Sequence, residues 1–208
     1  MIRRMKVVGL AAVAVLALTA VSAASASAHT FTAASSPTWL KGEQSTKNVF
    51  TVNGGTVKCT GATFTSGKEV GTSLSSVTVH PSYSGCTAFG QEAEVNTGTI
   101  TNGINYVISA EGTVNIVKVG TGTGIVVKAK TAGCTVTVAP QTGLSSVTFT
   151  NEGSPSAVLV TAAVEKITYT SSGGICGESG TNGKYSGSVL TKGFGTETFT
   201  EQHAIYWE

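Results

Sequence analysis

Asp is missing from this sequence: all eleven acidic residues are Glu. Asp is the usual first ligand of a calcium loop and the usual third member of a hydrolytic triad, so both sites are disfavoured. Arg occurs only at Arg3 and Arg4. Aromatic residues make up 7% of the chain, too few for an array of rings on which a sugar would stack. The four Cys include no C-x-x-C pair, and His29, His80 and His203 have no ligand spacing, which argues against a zinc site. No G-x-S-x-G, H-E-x-x-H or P-loop occurs. "GTGTG" (120–124) is a hairpin turn and not a phosphate cradle, because no helical pattern follows it. No metal or other cofactor is expected. No window of a dozen residues beyond the N-terminal segment shows a 3.6-residue period, so helices are not expected either.

The one long apolar run is "VVGLAAVAVLALTA" (7–20), preceded by Arg3, Arg4 and Lys6 and followed by Ala26-Ser27-Ala28. Basic, apolar and A-x-A segments in that order make a secretory signal peptide, residues 1–28, with cleavage before His29. The apolar run is too short to remain as a membrane span. "TEQHAIYWE" at the other end carries no apolar tail or sorting motif. The expected product, 29–208, is secreted and extracellular, with no membrane span. It keeps ten Lys against eleven Glu, a formal charge of −1 with neutral His. That balance gives no basic patch for nucleic acid.

What remains is rich in Gly, Ser, Thr and Val. Period-two alternation recurs in "SSVTVH" (75–80), "GIVVKAK" (124–130), "CTVTV" (134–138), "SVTFT" (146–150) and "KITYT" (166–170), with a Val/Ile face opposite a Thr/Ser/Lys face. "PSAVLVTAAVEK" (155–166) reads as strand because of its β-branched residues. Turns are expected at Asn53-Gly54-Gly55, Asn102-Gly103, Gly120–Gly124, Gly173-Gly174 and Asn182-Gly183. The fold class is all-β, an antiparallel β-sandwich with two disulfides. "LSSVTVHP" (74–81) resembles "LSSVTFTN" (144–151), which suggests two related halves, about 49–110 and 111–208.

Four Cys in an exported chain form disulfides. Of three possible connectivities, nearest-neighbour pairing is expected: Cys59–Cys86 and Cys134–Cys176. Cys59 shares a strand face with Val57, and Cys134 with Val136, so all four belong to the core. Loop closure gives about 3.5 and 4 kcal/mol as ceilings for the two bridges. "HPSYSGCTAFG" (80–90) gathers His80, Ser82, Tyr83 and Cys86, the densest set of reactive side chains in the chain. A bridged Cys86 is no nucleophile. Pro81 is read as ending a strand, Ser82–Gly85 as a turn, and Tyr83 as packed on the bridge.

Glu92 and Glu94 are two residues apart and share a strand face, the arrangement by which some β-sandwich glycosidases place two carboxylates. They are the only catalytic candidates, set against the simpler reading of a solvated face. Glu197 and Glu201 bracket Phe199 as edge-strand charge. Trp207 is in phase with Ile205 and is expected to bury. These features favour an extracellular or cell-surface structural or binding protein, with cell-wall or polysaccharide material as its partner. The alternatives are a polysaccharide hydrolase using the Glu pair and a carbohydrate-binding module.

"GGTVKCTGATFT" (54–65), "YSGCTAFG" (83–90), "GCTVTVAPQTGLSSVTFTN" (133–151) and "GKYSGSV" (183–189) resemble the motifs of an uncharacterised family of secreted, Thr/Gly-rich, disulfide-containing β proteins of high-GC Gram-positive soil bacteria. The resemblance covers most of 29–208 and implies no activity. It implies a further Cys pair in other members, at the positions held here by Ile104 and Lys118.

Overall fold

Every regular element among the described residues is a strand. The structure, a computed structural model, describes residues 28–36, 38–67, 71–131, 133–154, 156–174 and 176–208. The expected leader, 1–28, lies outside these residues except for Ala28. The strands in chain order are β1 (Phe31–Ala33), β2 (Trp39–Gln44), β3 (Asn48–Val52), β4 (Gly55–Thr65), β5 (Ser73–Leu74), β6 (Ser76–Ala88), β7 (Gln91–Asn96), β8 (Gly103–Ser109) and β9 (Thr113–Val119). They continue as β10 (Ile125–Ala129), β11 (Thr135–Val138), β12 (Gln141–Ser145), β13 (Val147–Glu152), β14 (Ala157–Ser172), β15 (Gly180–Phe194), β16 (Gln202–His203) and β17 (Ile205–Trp207).

The antiparallel sandwich expected from the sequence forms, and its walls are hydrogen-bonded to each other at both sides. Pairing runs β4–β6–β7–β10–β11–β14–β15–β3 and returns to β4, an eight-stranded closed circuit. Toward the other end of the long strands, β6 pairs β8, β8 pairs β9, and β9 pairs β12. There β14 pairs β13, and β15 pairs β2. The long strands β4, β6, β14 and β15 thus run through both ends. A separate three-stranded sheet, β17–β1–β5, packs on the same core, with Phe31 edge-on to Phe149 at 5.1 Å.

The short strands bury the residues their alternation predicts: Ile125, Val127 and Ala129 in β10, Val136 and Val138 in β11, and Val147 and Phe149 in β13. The long strands change phase midway. β6 buries Val77, Val79 and Pro81, then Cys86 and Ala88; β4 buries Val57 and Cys59, then Ala62 and Phe64. The change falls at Gly85, where φ is 56°, beside Thr60. In β14 it falls between Val164 and Ile167, at Lys166 with φ 61° and a register shift. A residue in the left-handed region turns the strand over, so the opposite set of side chains faces inward.

Three sequence expectations are corrected. Pro81 does not end a strand and Ser82–Gly85 is not a turn, because β6 runs through both. The Pro81 carbonyl accepts the Thr97 hydroxyl at 2.8 Å, and the ring nitrogen lies on that same side of the strand. On that side β8 pairing stops at Val79 and β7 pairing starts at Cys86, so no ladder donor is missing. The turn is one step later, at Phe89-Gly90, with φ 55° and 80°, the two positive values of a two-residue hairpin turn. Asn182-Gly183 is also strand, inside β15. Gly183 serves close packing: a Cβ there would lie 2.7 Å from the Ile167 carbonyl oxygen and 3.1 Å from the Phe50 ring.

Both disulfides join the expected partners, and all four Cys are buried. Cys59 and Cys86 face each other across β4 and β6; Cys134–Cys176 fastens the start of β11 to the loop between β14 and β15.

Candidate functional site

The sequence-derived carboxylates face outward. Glu92 and Glu94 are both exposed on β7, and Glu92 pairs with Lys130 at 2.5 Å. In the β7–β10 ladder Glu94 stands opposite Lys128. Neither lines a cavity described below. His80 is held by the β8 strand, its Nδ1 lying 3.0 Å from both the Ile104 carbonyl oxygen and Asn105 Oδ1. That contact, the Thr97–Pro81 bond and the buried Asn105 fill the gap where β7 and β8 diverge. Glu201 lies 3.9 Å from His203 Nε2. Among the described residues Tyr206 is the one exposed large hydrophobic side chain. Trp207 is half-buried and donates its indole N–H to the Ala110 carbonyl at 2.9 Å.

One shallow outer groove runs over β2 and β15, lined by Lys41, Glu43, Lys192 and Phe194. Two of its three charged residues are paired with each other. Lys41 pairs with Glu43 at 2.8 Å, which holds that carboxyl below the usual range, and also sits over the Phe199 ring. Among the described residues no group of three His, Cys or Glu is placed to hold a metal ion. No helix there is long and apolar enough to cross a membrane.

The distinctive feature is inside the closed circuit. A cavity of about 170 Å³ runs between the walls. Its lining is almost wholly carbon, with Ile125, Val127, Val138, Phe149, Val158 and Val164 among the contributors, and it includes no Lys, Glu or His. The β1–β17 sheet closes one end with Phe31, Ala33, Ile205 and Tyr206. For scale, a protein cavity of about 150 Å³ with apolar walls takes up benzene.

Besides Thr32 and Thr191, the polar part of the lining is a cluster of phenols. Tyr83 on β6, Tyr106 on β8 and Tyr185 on β15 line the cavity together with Asn48. The Tyr83 and Tyr106 hydroxyls are 3.0 Å apart, and Tyr185 donates to Asn48 Oδ1. Asn48 donates on to Gln44 Oε1 at 2.6 Å, and Gln44 to the Thr60 carbonyl at 3.1 Å. The row of dipoles therefore leads from the cavity to the outer edge of the sheet. Burial pushes the Tyr83 hydroxyl well above the ordinary phenol value, and the neighbouring Tyr106 and Tyr185 push it further. Burial likewise raises Tyr106 to about 12 and lifts Tyr185. All three stay neutral at physiological pH and offer hydroxyls, not charge.

Tyr83 packs edge-on against Phe64 at 6.0 Å and pairs with Tyr106. Of these residues Tyr83 alone belongs to a segment that stands out in the sequence; Tyr106, Tyr185 and Asn48 do not. The available signal was the scarcity of Tyr: three of the chain's five converge here. Comparisons with protein-family models, curated proteins and solved structures return no match.

Proposed function

We propose that this is an exported binding protein whose interior takes up one small, neutral, largely apolar molecule carrying a hydroxyl group. The observation that carries this reading is the apolar cavity with its single cluster of neutral phenols. An eight-stranded circuit is the size at which a β-barrel interior holds one small ligand. A volume of about 170 Å³ suits a single ring with short substituents. A carboxylate or ammonium ligand would be buried without a partner, because the lining carries no opposite charge, and that costs far more than apolar contact returns. A ligand hydroxyl can donate to or accept from the phenol row, whichever way its protons point. Export is supported by the leader pattern of residues 1–28 and by two disulfides of the kind that persist in oxidising compartments.

The test is calorimetric titration of the disulfide-intact protein with p-cresol, toluene and p-toluate. Binding is expected to be strongest for p-cresol, weaker for toluene and undetectable for the anion. At a hundredfold excess over Kd, p-cresol should stabilise the fold by about 2.7 kcal/mol. Val127→Phe, which fills the cavity from β10, should abolish binding while the protein stays folded. Absence of binding by both neutral probes at millimolar concentration would overturn the reading, as would equal or tighter binding of p-toluate.

A further inference from the structure

The nitrogen at which the leader is expected to end, that of His29, lies two residues before β1. The His29 backbone N–H donates to Glu111 Oε1 at 2.8 Å. Glu111 occupies the turn between β8 and β9, where its own N–H is held by the Ser109 hydroxyl at 3.1 Å. The His29 ring stacks on Trp207, with centroids 4.4 Å apart and planes at 23°. Trp207 is in turn fixed by Ala110 through its indole and by Asn151, which both donates to its carbonyl and accepts from its N–H. Thr30 and Glu208 exchange both backbone bonds, at 2.8 and 3.0 Å. Residue 29 therefore sits in a fitted seat made from the β8–β9 turn, β13 and β17.

We infer that cleavage of the Ala28–His29 bond creates an α-ammonium group for which Glu111 is the receptor, so that processing fastens the β1–β17 sheet onto the barrel. The step is hydrolysis by a signal-peptide-cleaving protease: water adds across the amide, Ala28 leaves with the carboxylate, and His29 keeps its nitrogen as an ammonium. Ala28 and His29 are both exposed. Two independent observations select this bond. Ala26 and Ala28 put the A-x-A cut there, and the folded chain puts a carboxylate beside that same nitrogen. A cut one residue later would remove the ring stacked on Trp207 and place the new amine on Thr30, whose N–H already serves the Glu208 carbonyl.

The change matters because a peptide N–H offers Glu111 one proton and no charge, whereas an ammonium offers three protons and a full positive charge. The sheet it fastens supplies Phe31, Ala33 and Tyr206 to the end wall of the cavity. The inference rests on export and not on ligand uptake, so either can fail without the other.

The test compares four disulfide-intact proteins: the chain beginning at His29, the same chain retaining Ala28, and the Glu111→Gln version of each. At neutral pH the exposed pair should give the His29 chain a Tm about 1–3 °C above the Ala28 chain. That difference should vanish between the two proteins carrying Glu111→Gln. The advantage should persist below the ordinary α-amino value of about 7.7–8.0 and be lost as pH rises through the elevated folded value. The other titratable residues at the seat are His29, whose ring stacks on Trp207, and Glu208, whose backbone pairs with Thr30, and all four proteins retain both. Should Glu111→Gln fail to fold, NMR titration of the α-amine in the unsubstituted protein decides the matter, with a midpoint above 8 expected. An ordinary midpoint, an equal Tm difference in both backgrounds, or an exported protein beginning at a residue other than His29 would overturn the inference.

Discussion

At the scale of single residues, the interior is set by a few polar groups whose partners are fixed by burial. Tyr83, Tyr106 and Tyr185 are held neutral because a phenolate among apolar walls has no counter-charge. Their folded-state values lie above the unfolded value near 10. The stability they contribute is therefore complete below pH 10 and is lost as pH rises toward and through about 12, where Tyr106 gives up its proton. The phenolate absorbance of these three rings should accordingly appear together with loss of β-sheet circular dichroism. Ionisation of these three in a protein that is still folded would contradict the cluster. Thr97 gives a second residue-level expectation. Its hydroxyl serves the carbonyl of Pro81, a fully buried residue. Thr97→Val keeps the shape and leaves that carbonyl without a donor. Urea unfolding should show a loss of about 1–3 kcal/mol; a neutral result would mean the gap between β7 and β8 admits water.

At the scale of elements, the decisive device is the phase change inside the long strands. Gly85→Ala tests it directly, since a Cβ would lie 2.1 Å from Thr60 Oγ1 on a backbone with φ 56°. The left-handed conformation alone costs about 1–2 kcal/mol for a residue with a Cβ, and the contact adds to that. Gly85→Ala in a Thr60→Ser background should remain destabilised, because the hydroxyl and the backbone strain both remain. The same device explains what the sequence does and does not disclose. β10, β11 and β13 are legible because one alternation runs from end to end of each. β6 is not, because its alternation breaks at Gly85, and a broken period containing Pro81 and two Ser reads as a turn. Gly183 reads as a turn for a related reason: a glycine needed for close approach to Ile167 has the same letter as one needed for positive φ. The phenol cluster is hidden because Tyr106 reaches Tyr83 through the β6–β8 pairing, and Tyr185 comes from β15, about a hundred residues further along the chain. The disulfides were legible because burial parity and short loops pointed to the same pairs. The register also bears on the family resemblance. Ile104 and Lys118, the two positions where further Cys are implied, are direct partners across β8 and β9. The double variant Ile104→Cys/Lys118→Cys should close a third bridge on oxidation, detected as loss of free thiol without dimer formation. Two persistent free thiols would argue against this register.

At the scale of the whole molecule, the fold is closed by pairings that join the two halves of the sequence. β7 finds β10, β8 finds β9, and β2 and β3 find β15, so each sequence half, 29–110 and 111–208, supplies edges that the other covers. Split at residue 110, the first half would expose the buried faces of Leu40, Ala93 and Ile104 along with unpaired strand edges. Each half would nevertheless keep its own disulfide, because Cys59–Cys86 and Cys134–Cys176 both close within a half. The bridges therefore restrict the unfolded chain locally but do not hold the halves together. The expected outcome is that neither fragment folds alone, as read from amide chemical-shift dispersion, while the 29–208 chain unfolds in one transition by both circular dichroism and Tyr fluorescence. Refolding with bridges intact should take milliseconds to seconds, since most pairings join strands far apart in sequence and loop closure precedes any return from contact. A fragment that folds by itself, or two separated transitions, would show that the cores are independent. The cavity enclosed by both halves would then not survive as one site. A single transition ties the cavity to global stability, so a ligand bound there should shift the whole melting curve and not one part of it.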